Sequence, residues 1–166
     1  KNAALAKKYD IYFETGTAGG RAANIALKLG FKKVFSCDIK DLKNKTLLSQ
    51  ENFFYEQSDS LSFLKKHLSN LKEKSVFFLD AHPNDFKPEN WPVWEELELI
   101  LNHEIKNHFI IIDDYDIISS NFPRRIERMI LASNRNYNFT AYSFNKLLDV
   151  LVAEPEPFIH EFIKTK

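Results

Sequence analysis

Asp10–Gly20 reads DIYFETGTAGG, and its reading decides the fold. The chain has four glycines, and three of them, Gly16, Gly19 and Gly20, fall within five positions here. Glycine lacks a Cβ, so it permits positive φ and lets another group approach the main chain closely. The stretch therefore predicts a tight turn facing something bulky, and the expected occupant is a ligand. On one side of the turn, DIYFE is short and apolar, as a buried strand would be. On the other, RAANIALKL (Arg21–Leu29) places Ala22, Ile25, Ala26 and Leu29 at helical spacing, with Gly30 as its cap.

Strand, glycine turn, helix is then repeated in looser form along the chain. KVFSCDI (Lys33–Ile39) reads as a second strand, followed by a short helix over Lys43–Gln50. NFFYE (Asn52–Glu56) is a weaker third strand. A helix is expected from Asp59 or Ser60 to Lys74, with Leu61, Leu64, Leu68 and Leu71 in one stripe. SVFFL (Ser75–Leu79) and FIII (Phe109–Ile112) are apolar on both faces, with a polar loop and a helix over Pro92–Lys106 between them. A further helix is predicted at Pro123–Ser133. Phe139–Phe144 and Leu148–Ala153 lie too close for a crossover helix and should pair as an antiparallel hairpin.

Strands apolar on both faces and separated by helices imply a parallel sheet covered on each side. The expectation is one α/β domain over residues 1–166, with a doubly wound seven-stranded sheet that is mostly parallel and closes with the C-terminal hairpin. In such a sheet, ligands sit beyond the carboxyl ends of the strands, where strand order reverses. Glu14 ends the first strand, Asp38 the second, Asp80 the fourth, and Asp113 with Asp114 the fifth; Asp59 follows the third. Acid at the same end of every parallel strand points to a common site, because a solubility pattern would scatter charge to both ends.

Composition narrows the partners. With 44% hydrophobic residues and 15 Phe in 166 residues, the chain can bury a core and is not a low-complexity sequence. Formal net charge is zero, which argues against a nucleic-acid binder working by phosphate neutralisation. Charge is uneven, with 10 Lys/Arg against 4 Asp/Glu in residues 1–50 and 5 against 10 in residues 51–100, a pattern solvated helix faces explain. Cys37 stands alone, so no internal disulfide forms and a reducing, cytoplasmic setting is expected. No apolar run approaches the roughly 18 residues that span a bilayer. The polar start, KNAALAKKYD, does not read as a signal peptide, and the absence of an initiator Met leaves room for an upstream segment.

The glycines do not follow the dinucleotide fingerprint. Counted from Gly16, its next glycine positions hold Ala18 and Arg21, and an acid in the turn, Glu14, would repel a pyrophosphate. A ligand with a cationic amino-acid end suits Glu14 better. ETGTAGG resembles motif I of class I S-adenosylmethionine (SAM)-dependent methyltransferases, with Ala18 where the family usually has its middle glycine. Asp38 falls 24 residues after Glu14, where that family's ribose-binding acid ends the second strand; Ser58-Asp59-Ser60 resembles its adenine-contact segment, and FFLDAH (Phe77–His82) its motif IV. The resemblance implies a Rossmann-like fold and assigns to the cofactor Glu14, Thr15, Gly16, Ala18 and Gly20 of the turn, Asp38 and Ile39, Asp59 and Ser60, and Asp80.

FLDAH, WPVWEELELI and IIIDDYD are further similar to bacterial and viral methyltransferases of the macrocin O-methyltransferase type. That resemblance implies a sugar hydroxyl as acceptor and Mg²⁺ held by acids after the fourth and fifth strands. Asp80, Asp113 and Asp114 are the expected ligands, since neighbouring strands bring all three to one edge. Hard oxygen donors suit Mg²⁺. His82, at the mouth of the site, is the expected general base, with a reference pKa of about 6.5. The alternative for Asp80 is to hold the cofactor's sulfonium end, with Asp113 and Asp114 capping the next helix. Trp91 and Trp94 read as packing residues or as stacking partners for a ring. Arg124, Arg125 and Arg128 read as a solvated helix face, Cys37 as core, and His67, His103, His108 and His160 as residues without a motif.

The expected function is thus SAM-dependent O-methylation of a small-molecule or carbohydrate hydroxyl, assisted by Mg²⁺, with no nucleic-acid or membrane partner. A non-catalytic cofactor-binding or interaction domain on the same fold is the alternative, and an NAD-linked oxidoreductase a more distant one.

Overall fold

In a computed structural model, the structure describes residues 5–83, 87–144 and 148–155. Seven strands, β1 (Ile11–Thr15), β2 (Lys33–Asp38), β3 (Phe53–Gln57), β4 (Val76–Leu79), β5 (Phe109–Ile112), β6 (Asn138–Phe144) and β7 (Leu148–Glu154), form one sheet in the order β3-β2-β1-β4-β5-β7-β6. β1 to β5 are parallel, and β7 is antiparallel to both β5 and β6. This is the doubly wound, Rossmann-like sheet that the sequence predicts. The hairpin's turn, 145–147, lies outside the described residues, as does His160.

Phenylalanine explains much of the register. Phe54, Phe35, Phe13 and Phe77 stand opposite one another on β3, β2, β1 and β4. Their rings stack at centroid separations of 4.9, 5.1 and 5.0 Å, and His108 closes the row edge-on against Phe77. Because strand side chains alternate between faces, this row lies on one side, facing α4 (Ser60–Leu68), α5 (Val93–Asn102) and α7 (Arg125–Ser133) through Phe63, Leu64, Leu97, Ile100 and Ile126. Tyr12, Val34 and Val76 point the other way, toward α2 (Arg21–Leu29). Beyond α2, the same face forms an apolar groove of about 650 Å³ that includes Tyr12, Phe78, Phe109, Ile111 and Val152.

Helix ends depart from the sequence reading, and each has a local cause. α4 stops at Leu68 rather than Lys74, because Ser69 and Asn70 turn the chain, although Leu71 still reaches the core. α5 stops at Asn102 instead of Lys106, where His103 adopts extended backbone. The short helix expected over Lys43–Gln50 is the single turn α3, Lys45–Leu48, capped by the Asn44 side chain. Two helices were not anticipated: α1 (Leu5–Lys8) and α6 (Tyr115–Asn121). YDIISSN carries β-branched and Ser residues without an apolar period, which is why it reads as loop. Phe122, Pro123 and Arg124 separate α6 from α7, which begins at Arg125.

Candidate functional site at the carboxyl ends of the strands

Strand order reverses between β1 and β4, so the turn after β1 and the loop after β4 meet at the switch point. Backbone hydrogen bonds tie the strand ends into one rim. Ser58 N donates to Asp38 O, Gly16 N and Thr17 N to Cys37 O, Asp80 N to Thr15 O, and Asp113 N to Leu79 O, at 2.9–3.1 Å.

At two glycines of the turn, Gly16 and Gly20, the group that the missing Cβ admits is the protein's own, where a ligand was expected. A Cβ on Gly16 (φ 82°) would stand 2.3 Å from the Asp80 carbonyl oxygen, and one on Gly20 (φ 78°) 2.3 Å from a Leu47 methyl. Gly19 alone faces open space. Ala18 also has positive φ, 45°, and its N–H donates to Asp38 Oδ2 at 2.8 Å. That bond offsets the strain of roughly 1–2 kcal/mol that an L-residue carries there.

Glu14 points inward. It is 1% exposed and accepts from Ser36 Oγ, its register partner on β2, which in turn accepts from Thr17 Oγ1. The Ala23 N–H at the start of α2 adds a further donor, yet burial dominates and raises the carboxyl to about 7. Direct contact with a cationic ligand end, expected of Glu14, gives way to a role in anchoring the glycine turn. Thr15 and Ser60 are buried as well.

Asp38, Ile39 and Asp59 face outward. Asp38 uses one oxygen on Ala18 N and the other on Lys40 N (2.9 Å), leaving further lone pairs on each. Ile39 is 70% exposed, an unusual setting for so large an apolar side chain, and Gln57 holds its carbonyl at 3.2 Å. Asp59 caps α4, accepting from Ser62 N at 2.9 Å, and those backbone bonds lower its pKa.

His82 donates through Nε2 to Asp114 Oδ2 at 2.6 Å, with Asp80 Oδ1 at 3.7 Å, while Nδ1 faces the Pro83 carbonyl at 3.2 Å. With acceptors at both nitrogens, the ring is an imidazolium, raised to about 9 chiefly by the Asp114 bond. It stacks on Trp91 at 4.4 Å, which adds a cation–π contact. Burial, and then the nearby Asp113 charge, raises Asp80 to about 8; burial also raises Asp113. Among the described residues, the cluster whose donor atoms lie within 4.8 Å of one another is Asp80, His82 and Asp114, so His82 takes the place expected of Asp113. Asp114 reaches this position through a left-handed backbone, φ 49°. One nitrogen and two oxygens suit a borderline metal such as Zn²⁺ better than Mg²⁺, which favours an all-oxygen shell.

The tryptophans are packed. Trp91 is occupied by His82, while Trp94 donates Nε1–H to Pro88 O at 2.6 Å and carries the Arg125 guanidinium at 4.2 Å. Arg125 stays exposed, as the sequence predicts, and covers Trp94 from the solvent side. Sequence reasoning missed Ser36, whose only signal is its register with Glu14, and the buried Glu96.

No family model and no curated protein matches the chain. Solved structures do match. A ribosomal protein L11 methylase from Lactobacillus delbrueckii subsp. bulgaricus superposes with a TM-score of 0.60 at 16% identity, over 94% of this chain and 77% of that one. An rRNA methylase from Streptococcus thermophilus gives 0.61 at 17%, over 94% and 93%. A SAM-dependent methyltransferase from Archaeoglobus fulgidus gives 0.61 at 13%, over 91% and 88%. The chain thus has the fold of class I SAM-dependent methyltransferases. These similar proteins include an rRNA methylase, so the fold does not itself exclude a nucleic-acid acceptor. Among the described residues, no helix is long and apolar enough to cross a membrane.

Proposed function

We propose that residues 1–166 form a single, cytoplasmic SAM-dependent methyltransferase domain acting on a hydroxyl of a small molecule or carbohydrate. The observation that carries this reading is the carboxylate-crowded edge at the β1–β4 switch point. Asp80, Asp113 and Asp114 face one imidazolium there, and such an edge favours a ligand bearing sulfonium and ammonium charge. Asp38 would accept from ribose hydroxyls with its remaining lone pairs, Ile39 would cover the adenine, and the Asp59–Ser60 segment would meet its edge.

When bound, SAM supplies a methyl group on a sulfonium that already leaves readily. The chain's work is to align the acceptor and receive its proton. Asp80, at about 8, has the basicity sought in His82, and the His82 cation stabilises the charged form of Asp80. His82 therefore acts as a positioning cation while Asp80 takes the proton. A divalent cation on Asp80, His82 and Asp114 is the second use of the same cluster, and it would require His82 to release its proton. The carbohydrate acceptor rests on the LDAH and IDDY resemblance alone. The zero net charge supports an acceptor without a phosphate backbone.

Calorimetric titration with SAM, S-adenosylhomocysteine (SAH) and NAD tests the cofactor: SAH binding is expected, and tighter NAD binding would overturn the reading. Methyl transfer to sugar acceptors, with EDTA and with metal restored, then separates the metal-free and metal-assisted routes. A binding-only domain is favoured by one observation, both ring protons of His82 engaged by acceptors of the protein, and would bind SAH while transferring no methyl to any acceptor.

A further inference from the structure

Glu96 occupies the middle of α5 at 0% exposure, between the core residues Val93, Leu97 and Ile100. Neither of its carboxyl oxygens has a hydrogen-bond partner. Its neighbours Glu95 and Glu98 on the same helix are exposed, so the helix does not need a third glutamate for solubility. An unpaired carboxyl in such a place costs several kcal/mol when charged, and an apolar side chain would fill the space at no such cost.

What faces it is informative. Burial raises the carboxyl to about 7, against the hydroxyls of Ser60 and Thr15, which lie near enough to favour its charged form without making a well-formed hydrogen bond to it. Thr15 ends β1 and begins the glycine turn, and its carbonyl and hydroxyl both accept from Asp80 N, at 3.1 and 3.4 Å. Ser60 is the first residue of α4, directly after Asp59. One carboxyl thus lies beneath the turn, the start of α4 and, through Thr15, the end of β4. The other titratable groups acting there are Glu95 on its own helix and Cys37 on β2; β1 and α4 present only hydroxyls.

We propose that Glu96 is a positioning residue of the cofactor cleft, setting the spacing between the glycine turn at Thr15 and the start of α4 at Ser60. The proposal rests on the SAM reading of the cleft. Glu96 never touches the cofactor; it acts through the two segments that would. Loss of its proton places a buried charge under the cleft that the two hydroxyls do not offset, and loosens both segments.

The test compares wild type with Glu96→Gln, which keeps shape and hydrogen-bonding capacity, and Glu96→Ala, which removes both. SAH affinity is measured from about pH 6 to pH 8.5, across the titration of the group. Wild type is expected to lose affinity as pH rises, by about tenfold, the equivalent of one pKa unit. Glu96→Gln is expected to match wild type at the acid end and to show a flatter profile. Glu14 and Asp80 titrate in the same range, so the difference between the two profiles isolates Glu96. Glu96→Ala is expected to bind at least about tenfold more weakly throughout. Wild-type SAH affinity and an unaltered pH profile in both variants would reduce Glu96 to a core filler and overturn the proposal.

Amide hydrogen exchange without ligand decides the same question if wild type takes up no SAH, an outcome that would sink the cofactor reading itself. Faster exchange across residues 15–20 and 60–63 in Glu96→Ala, restored in Glu96→Gln, supports the positioning role, and unchanged exchange overturns it.

Discussion

Gly16 lies so close beneath Asp80 that a Cβ on it would stand 2.3 Å from the Asp80 carbonyl oxygen. The obstacle is backbone, which cannot rotate aside, and Gly16 also has φ 82°. Gly16→Ala is therefore expected to destabilise the fold by more than about 2 kcal/mol, combining left-handed strain with a forced shift of the β4 end. Gly19→Ala, facing open space, should stay within about 0.5 kcal/mol of wild type. Urea denaturation of both variants checks the pair, and equal midpoints would refute it.

Asp38 links the ligand edge to the turn. Its carboxylate accepts from Ala18 N and Lys40 N, and it would accept from the ribose as well. Asp38→Ala should weaken SAH binding by about 1–3 kcal/mol, the usual cost of deleting a charge-assisted acceptor. Calorimetry reads the change directly; an unaltered affinity would place the ribose elsewhere.

Two histidines should titrate in opposite directions. Ser75 N donates to His108 Nδ1, so His108 carries its proton on Nε2 and donates to His103 Nδ1 at 3.0 Å; His103 in turn donates to Leu68 O. Burial is the main reason the His108 pKa falls to about 3. A depressed histidine adds nothing above the unfolded value near 6.5 and costs stability as pH falls below it, about 2 kcal/mol by pH 5. His82, raised to about 9, contributes stability in full below the unfolded value and loses it as pH rises through 9. NMR titration of the ring protons checks both: His108 should stay neutral down to pH 4, and His82 charged at pH 8.

Phe13 is the centre of the aromatic row, 3% exposed and stacked on Phe35 and Phe77. Phe13→Ala should cost about 3–5 kcal/mol. Phe54→Ala, at the exposed end of the row, should cost far less. Denaturation midpoints of the two variants test whether burial or stacking order sets the difference.

The fold was legible because VFFL and FIII are apolar on both faces and RAANIALKL has an unmistakable helical period. Strand ends, and hence the position of the acid edge, followed from the same patterns. Side-chain direction at that edge did not. Glu14 turns inward because its register partner is Ser36, a pairing that no local pattern encodes. Asp114 rather than Asp113 meets His82 because a left-handed backbone re-aims it. Asp80, Asp113 and Asp114 are the expected Mg²⁺ ligands, and the sequence did not show that His82 places a cation beside them. WEELELI reads as an amphipathic helix with solvated glutamates, and only the packing of α5 under Thr15 and Ser60 draws Glu96 inside. Glycine spacing announced a close approach without saying that the approaching group was the protein's own β4.

The ties along the rim run from main chain to main chain, from Ser58 to Asp38, Gly16 to Cys37, Asp80 to Thr15 and Asp113 to Leu79. Main-chain bonds are indifferent to side-chain identity. Away from Gly16, where any Cβ would collide with the Asp80 carbonyl, substitutions can therefore retune the chemistry at these strand ends without moving the strand ends themselves. Proline is the one residue type that would cut a tie at Ser58, Asp80 or Asp113 by removing its donor. The edge is built as a chassis on which specificity can drift while alignment is inherited.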